Sequence, residues 1–509
     1  MSENNINIDS DNDSITGKSI LLSELKSRSI SGGIVSGAAQ IVEFFLRIIG
    51  IAVLARLLTP GDFGVVAMVT VVMNFARMVS TLGLSTATIQ NKDISSGQIS
   101  NLFWINTVFG VLLFGFVAVL SPLVGMFFGD ERVIMITIAL SVSLLFVTVS
   151  NQHRAILTRN MRFNILAGSA IAGTAIGIAV GITAALLGAG YWSLVVMPLV
   201  NEFVRSLIVV IANPWRPARP RALSNIIGMM KLGGGVVGFN FINYFTMNAD
   251  NLIIGKLFGT TALGFYNRAY TLMLKPLNQL RGPITQVALP ALSRLQDSPD
   301  VYRHYYSRIL QILSFLSAPL TLFMAANSDT VIQVVLGAGW EKAIPLFRVL
   351  CIVGAIQVVL GTTGLVMMSC GLGGRYLLIG IITAVVSICA FLIGSMWGVF
   401  GIAVAYAVAN VLLVFPVLII SFRNTPVTLA IFFRSIEPQY RISLIAVGLG
   451  YAITRLFTVS NPILSLLMSL VSFCLIFFSV SLFFKEGREA LTQVRRILMT
   501  ISKKFGSIR

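Results

Sequence analysis

Seven ionisable residues sit in stretches otherwise apolar enough for hydrocarbon: Glu43, Arg47, Arg77, Asp250, Arg268, Lys275 and Arg281. A charge at mid-bilayer costs at least ~2.5–3.5 kcal/mol on insertion scales, so such residues face a bundle interior or a watery cavity. Helical spacing groups them. Gln40, Glu43 and Arg47 share one face, as do Asn74, Arg77 and Thr81. Asn240, Asn243 and Asp250 share another, and Arg268, Thr271, Lys275 and Gln279 a fourth. The five cations outnumber the two carboxylates, and unpaired charge out of water is expensive, so the set calls for an anionic ligand. Arg and Lys suit phosphate or pyrophosphate. The amides, with Tyr244, Tyr266 and Tyr270 close in sequence, suit a hydroxyl-rich ligand such as a sugar. Internal locks, Glu43–Arg47 and Asp250–Arg268, would absorb two cations and leave three.

Composition dictates what must position these groups. The 509 residues are 56% hydrophobic and 11% charged, with a mean hydropathy of +0.88. A soluble domain carries roughly 25% charged residues, so the chain reads as an all-α integral membrane protein. The apolar runs have the ~20-residue length of spanning helices and lack the alternation of a barrel strand. They predict fourteen helices, over 32–57, 63–89, 99–121, 133–156, 164–188, 190–212, 231–258, 262–289, 304–326, 343–369, 376–396, 399–420, 442–458 and 462–484.

The net charge of +18 is topological. With the N-terminus inside, the inner segments collect most of the Lys and Arg, and the outer loops carry only Arg56, Arg132, Lys256 and Lys342. That bias places both termini in the cytoplasm and removes any need for nucleic acid. The basic end of the chain is suited to touch anionic membrane lipid. Arg205, Arg348 and Arg455 read as snorkelling or locally paired, Arg205 with Glu202 three residues before it.

An internal repeat organises the helices. Leu54–Gly64 aligns with Ile254–Gly264 at a separation of 200 residues, matching Arg56 with Lys256 and Gly64 with Gly264. Both hairpins start inside, so the repeat is parallel, as in two six-helix lobes related by an axis along the membrane normal. The expected organisation is a disordered cytoplasmic tail at 1–30, an N-lobe at 31–212 and a basic linker at 213–230. A C-lobe at 231–420, two further spans within 421–484 and a basic cytoplasmic tail at 485–509 complete it. Repeat transporters bind substrate where their repeats meet, so the expected site is a central cavity lined by the two related hairpins.

Several chemistries lack their residues. The four cysteines show no CxxC spacing, which excludes a disulfide framework and a metal site. Asp9-Ser10-Asp11 matches a metal-binding DxD pattern, but no nucleotide-binding domain surrounds it. No Ser/His/Asp or Cys/His arrangement appears, and the longest outer loop, Ala325–Ala343, contains no His, so a polymerase or other enzyme is not expected. No GxxxxGK[ST] loop is present for ATP, which points to an H⁺ or Na⁺ gradient and no cofactor. Glu43 and Asp250 are the candidate coupling carboxylates. A cationic drug would prefer more carboxylates than these, which ranks a multidrug exporter second.

The motifs resemble one family. They are Leu-Ala-Arg-Leu-Leu-Thr-Pro-x-x-Phe-Gly at 54–64, Trp104-x-Asn106, Asn248-x-Asp250-Asn251, Gly264-x-Tyr266-Asn267-x-Ala269-Tyr270 and Pro290-Ala-Leu-Ser-Arg-Leu-Gln296. Over about residues 30–420 the chain resembles the Wzx-type polysaccharide-repeat-unit flippases. The likeness is to the colanic-acid-exporter-like branch of the multidrug/oligosaccharidyl-lipid/polysaccharide exporter superfamily. The resemblance implies alternating access by two lobes, and an undecaprenyl-pyrophosphate-linked oligosaccharide turned across the bacterial inner membrane. It implies pyrophosphate contacts from Arg47, Arg77, Arg268 and Lys275; Asn240, Asn243, Tyr270 and Gln279 complete the substrate-binding set expected for the central cavity from their residue types. A polysaccharide polymerase and export machinery are the implied partners. In related lipid II flippases the last two spans form a groove for the lipid tail.

Overall fold

The computed structural model describes residues 22–80, 88–89, 91, 94–219, 226–456 and 459–506, with side chains from 31 onward. The side chains of 226–243, 246, 455–456, 494, 496–498 and 500–506 lie outside the described set. Every long described element is a helix, and no strand occurs among the described residues. The chain forms two compact units, Met1–Tyr244 and Phe245–Arg509.

The first unit contains α1 (Leu22–Leu57), α2 (Pro60–Ser80), α3 (Ser96–Phe128), α4 (Arg132–Arg159), α5 (Phe163–Leu186) and α6 (Trp192–Ala212). Its turns are written in short side chains. Between α1 and α2, Thr59 and Asp62 bond reciprocally, with Thr59 N and Oγ1 at 2.9 and 2.7 Å from the Asp62 carboxylate, and Pro60 opens the helix. Ser95 and Gln98 form a capping box ahead of α3. Gly129 closes α3 at φ 71°, a left-handed position that favours glycine.

The solvent is hydrocarbon, so the usual polarity is inverted. On α3, Val108, Leu112, Phe116 and Val119 are exposed along one face, while Ser143, Ser150 and Ser206 of α4 and α6 are buried. Helices without a hydrophobic drive to associate pack through small residues. Gly173, Gly177 and Gly181 form such a stripe on α5. A Cβ at Gly177 would stand 2.7 Å from Met197 O of α6, and one at Gly173 would stand 2.7 Å from Asn201 O. Asn201 Nδ2 then donates to Thr174 Oγ1 at 3.2 Å across the same seam.

The segment after α6 is tied to this unit. Asn213 Nδ2 donates to His153 O, Trp104 Nε1 to Ala218 O at 2.9 Å, and Ala218 N to Ser100 Oγ at 3.1 Å. Trp215 is buried against Phe103, Ile156 and Ile99. The N-terminal half of the sequence-predicted linker is thus anchored, while 220–225 lie outside the described residues.

The long helix α7 (Ile226–Arg294) breaks at Gly259, where φ is 76° and ψ is −173°. Its arms, 226–258 and 260–294, correspond to the seventh and eighth predicted spans. The break lies in the same 200-residue register as Thr59, the turn of the first hairpin. The second unit continues through α8 (Pro299–Ala326), α9 (Ser328–Val335), α10 (Ala343–Leu360), α11 (Thr363–Ser369) and α12 (Gly373–Ser395). It ends with α13 (Gly398–Phe422), α14 (Leu429–Leu456), α15 (Pro462–Phe483) and α16 (Lys485–Gly506). Phe315 and Phe323 of α8 meet Ile442 of α14, Phe473 and Phe477 of α15, and Ala490 of α16 in one core. Met367, Ile379, Leu413 and Val417 form another, uniting α11, α12 and α13.

Among the described residues, eleven helices are long and apolar enough to cross a membrane. The sequence predicts fourteen. The three others fall on the arms of α7 and on α14, the stretches that carry Asp250, Lys256, Arg268, Lys275 and Arg281, and Arg434, Glu437 and Arg441. Their length suits a span, and the side chains of 226–243 on the first arm lie outside the described residues. The tenth predicted span, 343–369, is broken at Gly361–Thr362 into α10 and α11.

Candidate functional site

In the first unit the polar faces of α4 and α6 meet. Arg154 Nη2 is ion-paired with Glu202 Oε1, and both side chains are largely buried. Ser206 Oγ lies 3.1 Å from Ser150 Oγ and donates to Phe146 O at 3.0 Å, which completes a polar seam between the two helices. Arg77 of α2 enters from the side and donates to Ser143 Oγ at 3.0 Å. Glu202 acts electrostatically on both Arg77 and Arg205, and Arg205 also feels Glu43 and Arg47. The cluster therefore holds four arginines and two glutamates. Tyr244 packs beside Phe75 of α2 and donates to Val71 O at 2.5 Å.

Glu43 and Arg47 form the expected one-turn pair at 3.2 Å, with the Arg47 side chain 50% exposed. The expected Glu202–Arg205 pairing differs in its bonded partner. Glu202 bonds Arg154, 48 residues earlier, because α4 presents its guanidinium directly to the α6 face. Sequence spacing within one helix carries no signal for that contact. Arg205, read from the sequence as locally paired, and Arg154 thereby join the cluster.

In the second unit the two arms of α7 are clipped together on either side of Gly259. Tyr266 Oη donates to Asp250 Oδ2 at 2.9 Å, and Asn267 Nδ2 donates to Asn251 Oδ1 at 3.0 Å. Asp250 Oδ1 also accepts from Asn251 N at 2.7 Å and Asn251 Nδ2 at 3.1 Å. Arg268 Nη2 donates to Asn267 Oδ1 at 2.7 Å. The carboxylate and the guanidinium expected to pair are thus joined through two asparagines, and Asp250 is held by Tyr266 and Asn251. Tyr270 stacks on Tyr266 with ring centroids 6.1 Å apart and shares a hydrogen bond with Tyr406 of α13. Gln357 Nε2 of α10 donates to Tyr406 Oη at 2.6 Å. The result is a train of aromatic hydroxyls and amides, buried at Tyr266 and half-buried beyond it, running from α7 to α10 and α13.

The structure thus brings Asp250, Arg268 and Tyr270 into one network. Lys275 lies exposed further along the second arm, and Gln279 is half-buried beyond it. The side chains of Asn240 and Asn243 lie outside the described residues. Among the described residues no group of three His, Cys, Asp or Glu side chains is arranged to hold a metal.

Both units can present fixed positive charge and hydrogen-bond donors inside a lipid-facing shell. That combination can hold an anionic, hydroxylated ligand without covalent chemistry.

The chain is similar to known membrane and polysaccharide-biosynthesis proteins. The chain is 26% identical over 351 residues to the lipopolysaccharide biosynthesis protein WzxC of Escherichia coli, covering 68% of this chain and 70% of that protein. It is 26% identical over 350 residues to the teichuronic acid biosynthesis protein TuaB of Bacillus subtilis, covering 67% of this chain and 72% of that one. Among solved structures, the lipid II flippase MurJ in an inward closed conformation superposes with a TM-score of 0.68 at 13% identity, over 89% of this chain and 98% of that one. A mutant of the Vibrio cholerae MATE transporter VcmN gives a TM-score of 0.53 at 12% identity, over 81% and 99% of the two chains. These likenesses identify the fold as that of the MurJ and MATE transporters. Residues 53–345, more than half of the sequence, match the polysaccharide biosynthesis protein family, and the chain belongs to that family.

Proposed function

We propose that this protein is a flippase that moves lipid-linked oligosaccharide repeat units across the bacterial inner membrane for surface polysaccharide export. The observation that carries the reading is the first unit's cluster, in which the four arginines Arg47, Arg77, Arg154 and Arg205 outnumber the two carboxylates Glu43 and Glu202, inside helices with lipid-facing apolar flanks. A surplus of buried guanidinium is stabilised by an anionic headgroup, and undecaprenyl pyrophosphate provides one. Arg268 and Lys275 are the corresponding substrate-binding cations of the second unit. Asn240, Asn243, Tyr270 and Gln279 provide hydrogen-bonding partners for the sugars.

The cycle is alternating access of two lobes, with both termini in the cytoplasm. An H⁺ or Na⁺ gradient drives it, with Glu43 and Asp250 as coupling carboxylates; Asp250 is the better enclosed of the two, ringed by donors from Tyr266 and Asn251. A polysaccharide polymerase and export complex receive the product. The MATE-like fold also suits a multidrug exporter, but the excess of cations over acids favours an anionic cargo.

Deletion of the chromosomal copy is expected to abolish one surface polysaccharide and to leave its lipid-linked repeat unit accumulating in the inner leaflet. Loss of dye or antibiotic resistance, with the polymer intact, would overturn the reading.

A further inference from the structure

The second unit contains a cavity of about 430 Å³ between the second arm of α7, the α10–α11 break and the start of α12. Its polar lining is Asn278, Arg281, Thr285 and Tyr376, and Gly361 and Gly364 open the wall beside them. The volume falls within the ~300–1,000 Å³ typical of small-molecule sites.

The break builds the site. Leu365 N bonds Thr362 O, so the carbonyl of Gly361 is released from the helical ladder. Arg281 Nη2 donates to that carbonyl at 3.0 Å. A Cβ at Gly361 would stand 2.5 Å from Arg281 Cζ, so only glycine admits the guanidinium here. Tyr376 rests its ring edge over Gly364, where a Cβ would lie 3.1 Å from Cε2. The bond to Gly361 uses one of the five donors of the fork.

Arg47, Arg132, Arg154, Arg303, Arg348 and Arg441 are ion-paired with carboxylates, and Arg281 is bonded instead to the Gly361 carbonyl. A permanent cation that lines a cavity and lacks a protein counter-charge is matched to an anion from outside. The remaining lining describes that anion further. An aromatic ring, an amide and a hydroxyl suit a pyranose, and a planar guanidinium suits a carboxylate.

We infer that the Arg281 cavity is a glycan subsite for a carboxylate-bearing sugar, with Arg281 taking the carboxylate and Asn278, Thr285 and Tyr376 the sugar ring. The inference rests on the flippase reading and deepens it by naming a substrate class. The same oxyanion chemistry could be supplied by the lipid diphosphate, and the experiment separates the two sources.

The full-length protein in proteoliposomes is offered three probes. They are a polyprenyl-diphosphate disaccharide ending in a hexuronate, its counterpart ending in the neutral hexose, and the sugar-free polyprenyl diphosphate. The wild type is expected to translocate the uronate probe about 10-fold faster than the neutral one, which corresponds to about 1.4 kcal/mol. Arg281→Gln is expected to erase that preference by slowing the uronate probe to the rate of the neutral one. Asn278→Asp, at an exposed lining position that does not touch the Arg281–Gly361 bond, is expected to erase the preference as well, by placing a carboxylate beside the guanidinium. Equal rates for the two sugars in the wild type, or a preference that survives both substitutions, overturns the subsite. Equal slowing of all three probes by Arg281→Gln and Asn278→Asp assigns the cavity to the diphosphate and also overturns it. Failure of the wild type to move any probe rejects the flippase reading itself.

Discussion

Replacing Tyr266 by Phe tests the clip across Gly259 with the least disturbance. The ring remains, and only the hydroxyl that donates to Asp250 Oδ2 at 2.9 Å is lost. Both partners are buried, Tyr266 at 0% and Asp250 at 2% exposure, so water does not replace the donor. Hydrogen bonds to a charged group contribute ~1.5–3 kcal/mol. Hydrogen bonds between membrane helices average only ~0.6 and reach ~1.7. The acceptor is a carboxylate whose Oδ1 is satisfied by Asn251, so Oδ2 alone is orphaned, and a loss of about 1.5–2 kcal/mol follows. The assay is equilibrium unfolding of the purified protein in mixed micelles, as a double-mutant cycle with Asp250→Asn. In the Asp250→Asn background the hydroxyl no longer serves a carboxylate, and its removal is expected to cost about 1 kcal/mol less. Additivity of the two substitutions within ~0.5 kcal/mol would refute the clip.

Three further outcomes follow from the packing. Glu202→Leu strands the Arg154 guanidinium among other cations and is expected to cost about 3 kcal/mol; adding Arg154→Met should recover most of it, read by the same unfolding assay. Gly177→Leu drives its side chain into Met197 O, so α5 and α6 must separate, with an expected loss of about 1–3 kcal/mol or failure to accumulate in the membrane. In the turn between α3 and α4, hydrogen bonds from Arg132 hold the Asp130 carboxyl below the usual carboxylate range. A depressed folded-state value contributes stability above the ordinary carboxylate pKa that is lost as pH falls through the folded value. Asp130→Asn should therefore lower the melting temperature at pH 7 and leave it nearly unchanged near pH 2, measured by thermal unfolding in detergent.

Much of the architecture is legible in the sequence because hydrocarbon imposes a strong length and polarity filter. The hairpin turns at Thr59 and Gly259 follow from the repeat, and the Glu43–Arg47 pair follows from one-turn spacing. Asp250 and Arg268 stand out as anomalies in apolar surroundings, yet their link through Asn251 and Asn267 depends on how the two arms of α7 cross. Arg154 is harder. Its bond to Glu202 exists only because α4 and α6 pack side by side, and no spacing within one helix signals it. The break in the tenth span has a visible signal in Gly361-Thr362-Thr363-Gly364, but mean hydropathy over 343–369 is high enough to mask it. The arms of α7 stand out in the sequence by their charges, Asp250, Arg268, Lys275 and Arg281, which mark them as the elements that carry polar work.

The broken span also bears on how the chain is made. Gly361 O is taken by Arg281, Thr362 Oγ1 shares a hydrogen bond with Tyr306 at 2.8 Å, and Ser369 meets Tyr302 and Gln296. Every one of these partners precedes the break in the chain. During synthesis, which proceeds from the N-terminus, helices α7 and α8 leave the ribosome before α10 and α11. The exposed peptide groups of the interrupted segment therefore enter a bilayer already stocked with their partners. A circular permutation that moved α7 and α8 behind α11 would keep each of those bonds available to the finished protein, yet would oblige the kinked segment to wait in lipid with its peptide groups unmet.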